Sequence, residues 1–397
     1  MQINLFKALL LLITFGQCHV ANQPTISWTL VGCDDWTYPK KDPAKPNLEL
    51  FTIQQIWDNA NLMITNAMSQ IDAIPIDESV LLKTFSKKSA GINAEFMFGT
   101  HWTTFMGATK GDAATFTKIK ETYTDIQSAL AKTLITTDTT QTPPTTILDL
   151  PNTQAFLFCE GDSFQYGKIK NTQFEFQNVW YAEVTSTATD GTAGRTEYLV
   201  PSAYASGGSV RPCTEPFIKD QDPNDPRQPY IGKTFDTVQK IIKTGENEGT
   251  AVEETFLGMI LCPSQHPGFP TPNAILKQNF QPPKPPVSDF STSVAGTLLH
   301  EMAHVVGRSK KINGRWADQA SGFNQCVSLA KSKPDQALIN PDSYRIFAEM
   351  NMSPATEWRA RKSKDTAPTG PSGSAGPSGP GPKKPGGSSR RARRYVN

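Results

Sequence analysis

His300-Glu301-Met302-Ala303-His304 is the stretch of this chain whose residue types and spacing could do chemistry. On a helix, residues at i and i+4 share a face, so both imidazoles could direct a ring nitrogen at one Zn²⁺ ion. Glu301, beside His300, could then reach a water on that ion. Zinc lowers the pKa of its bound water to about 7, and a neighbouring carboxylate can take the proton as a hydroxide attacks a carbonyl carbon. The chemistry is metal-assisted hydrolysis with Glu301 as general base. The chain has five histidines, and placing two of them in one such string weighs against an accidental pattern.

A tetrahedral catalytic site needs a third protein ligand and an open position. No histidine follows His304, so the downstream candidates are Asp318, Asp335, Asp342 and Glu349. Asp318 is nearest, and Asn313-Gly314 before it is a turn signal that could bring the chain back beneath the helix. Glu349 lies on a later amphipathic stretch, Tyr344 to Met350, and would serve if the site followed the thermolysin pattern of a second-helix glutamate.

Three further runs carry a likeness. After the H-E-x-x-H string comes Gly314-Arg315-Trp316-Ala317-Asp318-Gln319-Ala320-Ser321-Gly322. Beyond it lies Leu338-Ile339-Asn340-Pro341-Asp342-Ser343-Tyr344-Arg345-Ile346-Phe347-Ala348, and upstream Met259-Ile260-Leu261-Cys262-Pro263. From about Leu48 to Met350 the chain thereby resembles the deuterolysin, or aspzincin, family of secreted fungal zinc endopeptidases, which includes the peptidyl-lysine metalloendopeptidases. That family has G-T-x-x-D-x-x-Y-G after the histidines, then an Asn-x-Asp-x-Tyr helix, and a strand ending in Cys-Pro upstream. The resemblance implies that His300, His304 and Asp318 hold a single Zn²⁺ and that Glu301 is the catalytic base. It also implies an α+β, zincin-like metallopeptidase domain, mainly helical with a small mixed sheet around a buried H-E-x-x-H helix. Arg315 and Ser321 replace the family's threonine and tyrosine. A tyrosine hydroxyl near the metal can stabilise the tetrahedral oxyanion, so Tyr344 is the candidate substitute and Arg315 a possible cationic donor. The expected activity is hydrolysis of peptide bonds in proteins. The alternative is a catalytically weakened or inactive zinc-binding protein of the same fold, acting in binding or host interaction.

Several elements must position these residues. Ser291, Thr292 and Ser293 offer N-cap hydroxyls, and Val294, Leu298, Leu299, Met302, Val305 and Val306 make the active-site helix apolar on more than one side, with Gly307 as its stop. A helix apolar around most of its circumference is buried, so polar residues within it need partners. Leu48 to Ile71 and Ala113 to Leu134 have helical periodicity. The region from Thr136 to Lys243 reads as short strands, among them Ala155–Cys159 and Asn178–Val184, and Pro223 to Pro229 and Gln281 to Val287 read as loops.

The chain's ends set its compartment. A basic start and a short apolar run over residues 1–21 read as a signal peptide, and no other stretch is long and apolar enough to span a membrane. The peptidase domain is expected over 22–355. Residues 356–397, rich in Pro, Gly and Ser, are expected to be a disordered tail. Beyond Trp358 ten basic residues face one acid, so a formal charge of +2 for the whole chain hides a tail of +9 and a body of −7. Only the tail would meet anionic surfaces, and nucleic acid is not an expected partner. The protein is expected to be a secreted monomer acting on protein or peptide substrates. With Cys18 in the signal, Cys33, Cys159, Cys213, Cys262 and Cys326 remain, enough for at most two bridges and one free thiol. Asn351-Met352-Ser353 is an N-glycosylation sequon followed by Pro354.

Overall fold

The computed structural model describes residues 26–38, 41–44, 46, 49–74, 88–100, 102–103, 107–108, 113–139, 142–170, 175–186, 195–201, 212–213, 232–243, 250–262, 293–309 and 316–353. These all belong to one compact unit, Met1–Ala360, and the second unit, Arg361–Asn397, contains none of them. The signal-peptide and tail expectations, the two Pro-rich loops, and Gly314 and Arg315 therefore lie outside the described residues.

The fold is α+β. The strands are β1 (Thr29–Val31), β2 (Thr37–Tyr38), β3 (Phe51–Thr52), β4 (Trp102–Thr103), β5 (Gly107–Ala108), β6 (Ile135–Asp138), β7 (Thr145–Asp149), β8 (Ala155–Cys159), β9 (Phe164–Lys170), β10 (Glu175–Ser186), β11 (Arg195–Pro201), β12 (Gly232–Lys243) and β13 (Thr250–Leu261). The helices are α1 (Ile53–Asp72), α2 (Lys88–Phe98), α3 (Ala113–Leu130), α4 (Val294–Ser309), α5 (Phe323–Ser332), α6 (Pro334–Ala337) and α7 (Pro341–Asn351).

Seven strands form one mixed sheet in the order β1-β8-β13-β12-β11-β10-β9. The β1–β8 and β8–β13 pairs are parallel, and the other pairs are antiparallel. The expected mixed sheet is thus present, with β12 and β13, twelve residues each, among its longest strands. Alternation along the strands sorts their side chains onto two faces. Leu157 and Cys159 of β8 and Met259 and Leu261 of β13 join the core built with α1, α3, α4 and α7. Phe156, Phe158, Ile260, Phe235 and Val238 form a separate cluster on the opposite face.

The long helices form where their periodicity places them. α1 opens with a capping box in which Thr52 and Gln55 satisfy each other's backbone, and it buries Ile53, Ile56, Trp57, Ala60, Met63, Ile64, Ala67 and Ile71. Its first turn begins after Leu50, since Phe51 and Thr52 pair with Tyr38 and Thr37 instead. β8 coincides with the expected strand, and the strand read over 178–184 lies inside β10.

The stretch read as amphipathic is buried on every side: each residue of α7 from Pro341 to Asn351 is buried. Its polar side chains are admitted because they find partners. Arg345 bonds Asp342 and Glu349, and Asn351 bonds Asn93 and the Phe347 carbonyl. Burial of Asn351 also removes the sequon from any glycosylation enzyme acting on the folded chain. Disulfides join Cys33 to Cys159 and Cys213 to Cys262, leaving Cys326 as a buried free thiol. No helix among the described residues is long and apolar enough to cross a membrane.

Candidate active site

Helix α4 carries His300, Glu301 and His304 into the interior. It starts where expected: the Ser293 hydroxyl accepts the Gly296 N–H at 2.9 Å, an N-cap bond. It does not stop at Gly307, which lies inside the helix. That glycine has a different task. A Cβ there would collide with the Trp316 ring, so its absence lets the chain that follows the helix fold back closely onto it.

The fold-back brings Asp318 to the histidines. Its Oδ1 lies 3.2 Å from His300 Nε2 and 3.5 Å from His304 Nε2, and the two Nε2 atoms are 3.1 Å apart. Ligand atoms placed tetrahedrally at zinc's bond lengths, about 2.0–2.2 Å, are separated by roughly 3.3–3.6 Å, so this triangle has the size such an ion needs. His300, His304 and Asp318 are the group of donors among the described residues that could hold a metal ion. The Asp318 side chain is 37% exposed, against 14% and 19% for the histidines, so the triangle opens on its carboxylate side.

Each imidazole is held by its other nitrogen. His304 Nδ1 lies 2.8 Å from the Trp316 carbonyl, which can only accept, so Nδ1 carries the hydrogen and Nε2 keeps its lone pair. His300 Nδ1 is 2.8 Å from Asp342 Oδ1, a carboxylate that imposes the same tautomer on the neutral ring. Hydrogen-bonded anchoring of this kind orients ligating histidines and raises their basicity. Burial opposes a charge on His300, but hydrogen bonds with Asp318 and Asp342 outweigh it and push the ring up to about 10. Burial likewise works against Asp318, yet the two histidines hold its carboxyl well below the usual range. Two ionised carboxylates converging on imidazole nitrogens make a place for a cation.

Asp342 does more than hold His300. Its Oδ2 accepts the Gly322 N–H at 2.6 Å and lies 3.4 Å from the Ser321 hydroxyl, while Oδ1 also takes Arg345 Nε at 2.7 Å. Burial would raise this carboxyl, but Arg345 and His300 hold it well below the ordinary range. Asn340, fully buried, accepts the N–H groups of Gln319 and Ala320 at 3.1 Å each and bonds Ser343 and Cys326 through its amide nitrogen. The start of α7 thus fixes the segment carrying Asp318 from two sides.

The remaining candidates fall elsewhere. Asp335 is exposed at the start of α6. Glu349 is fully buried, paired with Arg345 Nη1 at 2.9 Å and with Ser293 at its N–H and hydroxyl, and so belongs to the helix-to-helix packing. Tyr344, read as a candidate oxyanion donor, is 1% exposed. Its hydroxyl donates to the Leu338 carbonyl at 2.8 Å and lies 3.3 Å from Thr122, and its ring stacks on Trp316 with centroids 5.6 Å apart. These contacts make it the floor beneath Trp316, where its hydroxyl has no solvent-facing surface to offer a substrate.

Glu301 has a partner that sequence reasoning missed. The Thr234 hydroxyl lies 2.7 Å from Glu301 Oε2, across 67 positions of sequence. No local signal reveals this contact, because it depends on the register of β12.

Comparison with known proteins bears on this region. Residues 276–349 match the model of the aspzincin family, described as lysine-specific metallo-endopeptidase. A peptidyl-Lys metalloendopeptidase of Pleurotus ostreatus is 42% identical over 59 residues, 15% of this chain and 32% of the relative, so the match spans about a third of the relative's length. No solved structure matches the chain. The matched segment contains α4, Asp318 and nearly all of α7, and these findings support the aspzincin family for this chain.

Proposed function

We propose that this chain is a secreted zinc metalloendopeptidase of the aspzincin type, with a zincin-like domain over 22–355, a signal peptide over 1–21 and a basic tail over 356–397. The observation that carries the reading is the triangle of His300 Nε2, His304 Nε2 and Asp318 Oδ1, sized for zinc and open on one side. These three side chains would hold one Zn²⁺. When bound, zinc supplies a Lewis acid that polarises a peptide carbonyl and acidifies water. Glu301 takes a proton at its carboxylate as water adds to the scissile carbonyl, and returns it to the leaving amine. Asp342 and the Trp316 carbonyl keep both imidazoles in the ligating tautomer. Tyr344 supports Trp316 from below. Two disulfides accord with an oxidising compartment. The substrates are proteins or peptides, and the chain acts as a monomer.

A second reading, a zinc-binding protein without peptidase activity, draws on Ser321. This residue replaces the family's tyrosine, and its hydroxyl lies 3.4 Å from Asp342 Oδ2 rather than presenting a phenol. Zinc stoichiometry and casein cleavage for wild type, Glu301→Ala and Asp318→Ala separate the two. The peptidase reading expects about one zinc and cleavage in wild type, zinc without cleavage in Glu301→Ala, and loss of both in Asp318→Ala. Zinc bound without cleavage in wild type would establish the second reading.

A further inference from the structure

Strand β12 runs alongside α4, and its register decides which residues look at the helix. Thr234 pairs with Met259 and Gly232 with Leu261, while Phe235 pairs with Gly258. Cross-strand partners point to the same face of a sheet. Met259 and Leu261 belong to the core shared with α4, and Phe235 belongs to the cluster on the other face. Gly232 and Thr234 therefore face α4, and they meet it at Glu301.

The two residues treat the two carboxylate oxygens differently. The Thr234 hydroxyl lies 2.7 Å from Oε2 and 3.1 Å from the Glu301 backbone carbonyl, so its one hydrogen goes to the stronger, charged acceptor while both contacts tie it to the same residue. A Cβ at Gly232 would stand 2.8 Å from Oε1, 3.0 Å from Glu301 Cγ and 2.6 Å from Thr297 Cγ2, one turn earlier on α4. Only glycine leaves Oε1 its place. Among the described residues no hydrogen bond reaches Oε1, so it is the oxygen left to exchange a proton.

We propose that Gly232 and Thr234 form a clamp on Glu301, Thr234 anchoring Oε2 and Gly232 leaving space for Oε1, and that this clamp holds the base in its working rotamer. Thr234 is a positioning residue: it acts through Glu301, and the inference rests on the metallopeptidase reading for what that carboxylate does. A base held in one rotamer meets the reacting geometry in every encounter, whereas a free one must find it. The cost of losing the anchor falls on turnover and not on substrate affinity.

The test uses the full-length zinc-loaded protein with Thr234→Val, Thr234→Ala, Thr234→Ser and Gly232→Ala. Valine keeps the shape without the hydroxyl, and alanine provides the same loss if valine disturbs folding. Thr234→Val is expected to lower kcat on a casein-derived peptide by about 10- to 100-fold, the range for one charge-assisted hydrogen bond, at unchanged KM and zinc stoichiometry. Serine should return kcat to within about threefold, since it restores the donor. Crystal structures of the same variants give a readout independent of turnover: Glu301 should leave its wild-type rotamer in Thr234→Val and Gly232→Ala and regain it in Thr234→Ser. Wild-type kcat in both Thr234→Val and Thr234→Ala, or Glu301 unmoved in all the crystals, would overturn the clamp. Wild type without peptidase activity would instead sink the metallopeptidase reading, and the rotamers would still decide whether the clamp exists.

Discussion

Glu301 and Asp342 are both carboxylates beside His300, and their partners separate their tasks. Glu301 takes a neutral hydroxyl and, among the described residues, keeps one oxygen without a hydrogen bond, whereas Asp342 is committed on both oxygens to His300, Arg345, Gly322 and Ser321. Glu301→Gln should therefore retain zinc while kcat falls by about 10²- to 10⁴-fold, the usual contribution of a general base, as measured by peptide hydrolysis beside metal analysis. Asp342→Asn should do the reverse, weakening zinc affinity by about 10- to 100-fold in a chelator competition. The grouping of His300, His304 and Asp318 is legible in residue types and spacing together with the family likeness. Asp342 was visible only as a possible ligand, because a carboxylate that binds a metal and one that binds the back of a ligand have the same sequence signature. Thr234 left no signature, since nothing local to Gly232-Lys233-Thr234 points 67 positions ahead.

At the scale of elements, α4 and α7 depend on what they admit. Gly307→Ala would gain roughly 1 kcal/mol of helix propensity, but overpacking against a rigid ring costs about 1–3 kcal/mol and occasionally more. The added methyl would meet Cβ, Cγ and Cδ2 of Trp316, the stem and body of the indole, so the collision should prevail. A lowered Tm and weaker zinc binding, the latter through the displaced Trp316 carbonyl, are the expected results. In α7, burial pushes the Glu349 carboxyl up to about 7 even though Arg345 and Ser293 favour its charged form. The unfolded chain, with a value near 4.5, releases that proton earlier, so the folded state binds more protons between about pH 4.5 and 7. Stability from this group is complete below that window and is lost as pH rises through it. Urea midpoints should show that slope in wild type and a shallower one in Glu349→Gln. Periodicity locates α1 and α3 because one face of each is apolar and the other is not, whereas α4 and β8 stand out as runs apolar on more than one side. It reads α7 as amphipathic because the partners of its polar side chains, some within the helix and others at Asn93, Ser293 and His300, leave no mark in the pattern. It picks out no separate strand at β12, whose Lys, Asp and Gln residues interrupt the apolar pattern.

Among the described residues, the mixed sheet is a platform with helices and the His300–His304–Asp318 triangle on one face and an aromatic-rich cluster on the other. The disulfides fasten it where strands end: Cys159 closes β8, and Cys262 follows β13 directly. The Cys33–Cys159 bridge spans 126 positions and Cys213–Cys262 spans 49, so closure entropy favours the first as the stronger staple. Replacing either pair with serines should cost about 2–5 kcal/mol in equilibrium unfolding, with the larger loss for Cys33 and Cys159. Sequence alone limited the bridges to two but could not pair them, because pairing follows from a strand order that brings β1 beside β8. The thiol left over, Cys326, is buried under the Asp318 segment beside Asn340, and burial together with the nearby Asp342 pushes it up to about 12. Such a thiol does not react while the chain stays closed. It is a native tripwire: a colorimetric thiol reagent added to the intact protein would record the rate at which the segment carrying Asp318 opens, without any label being introduced.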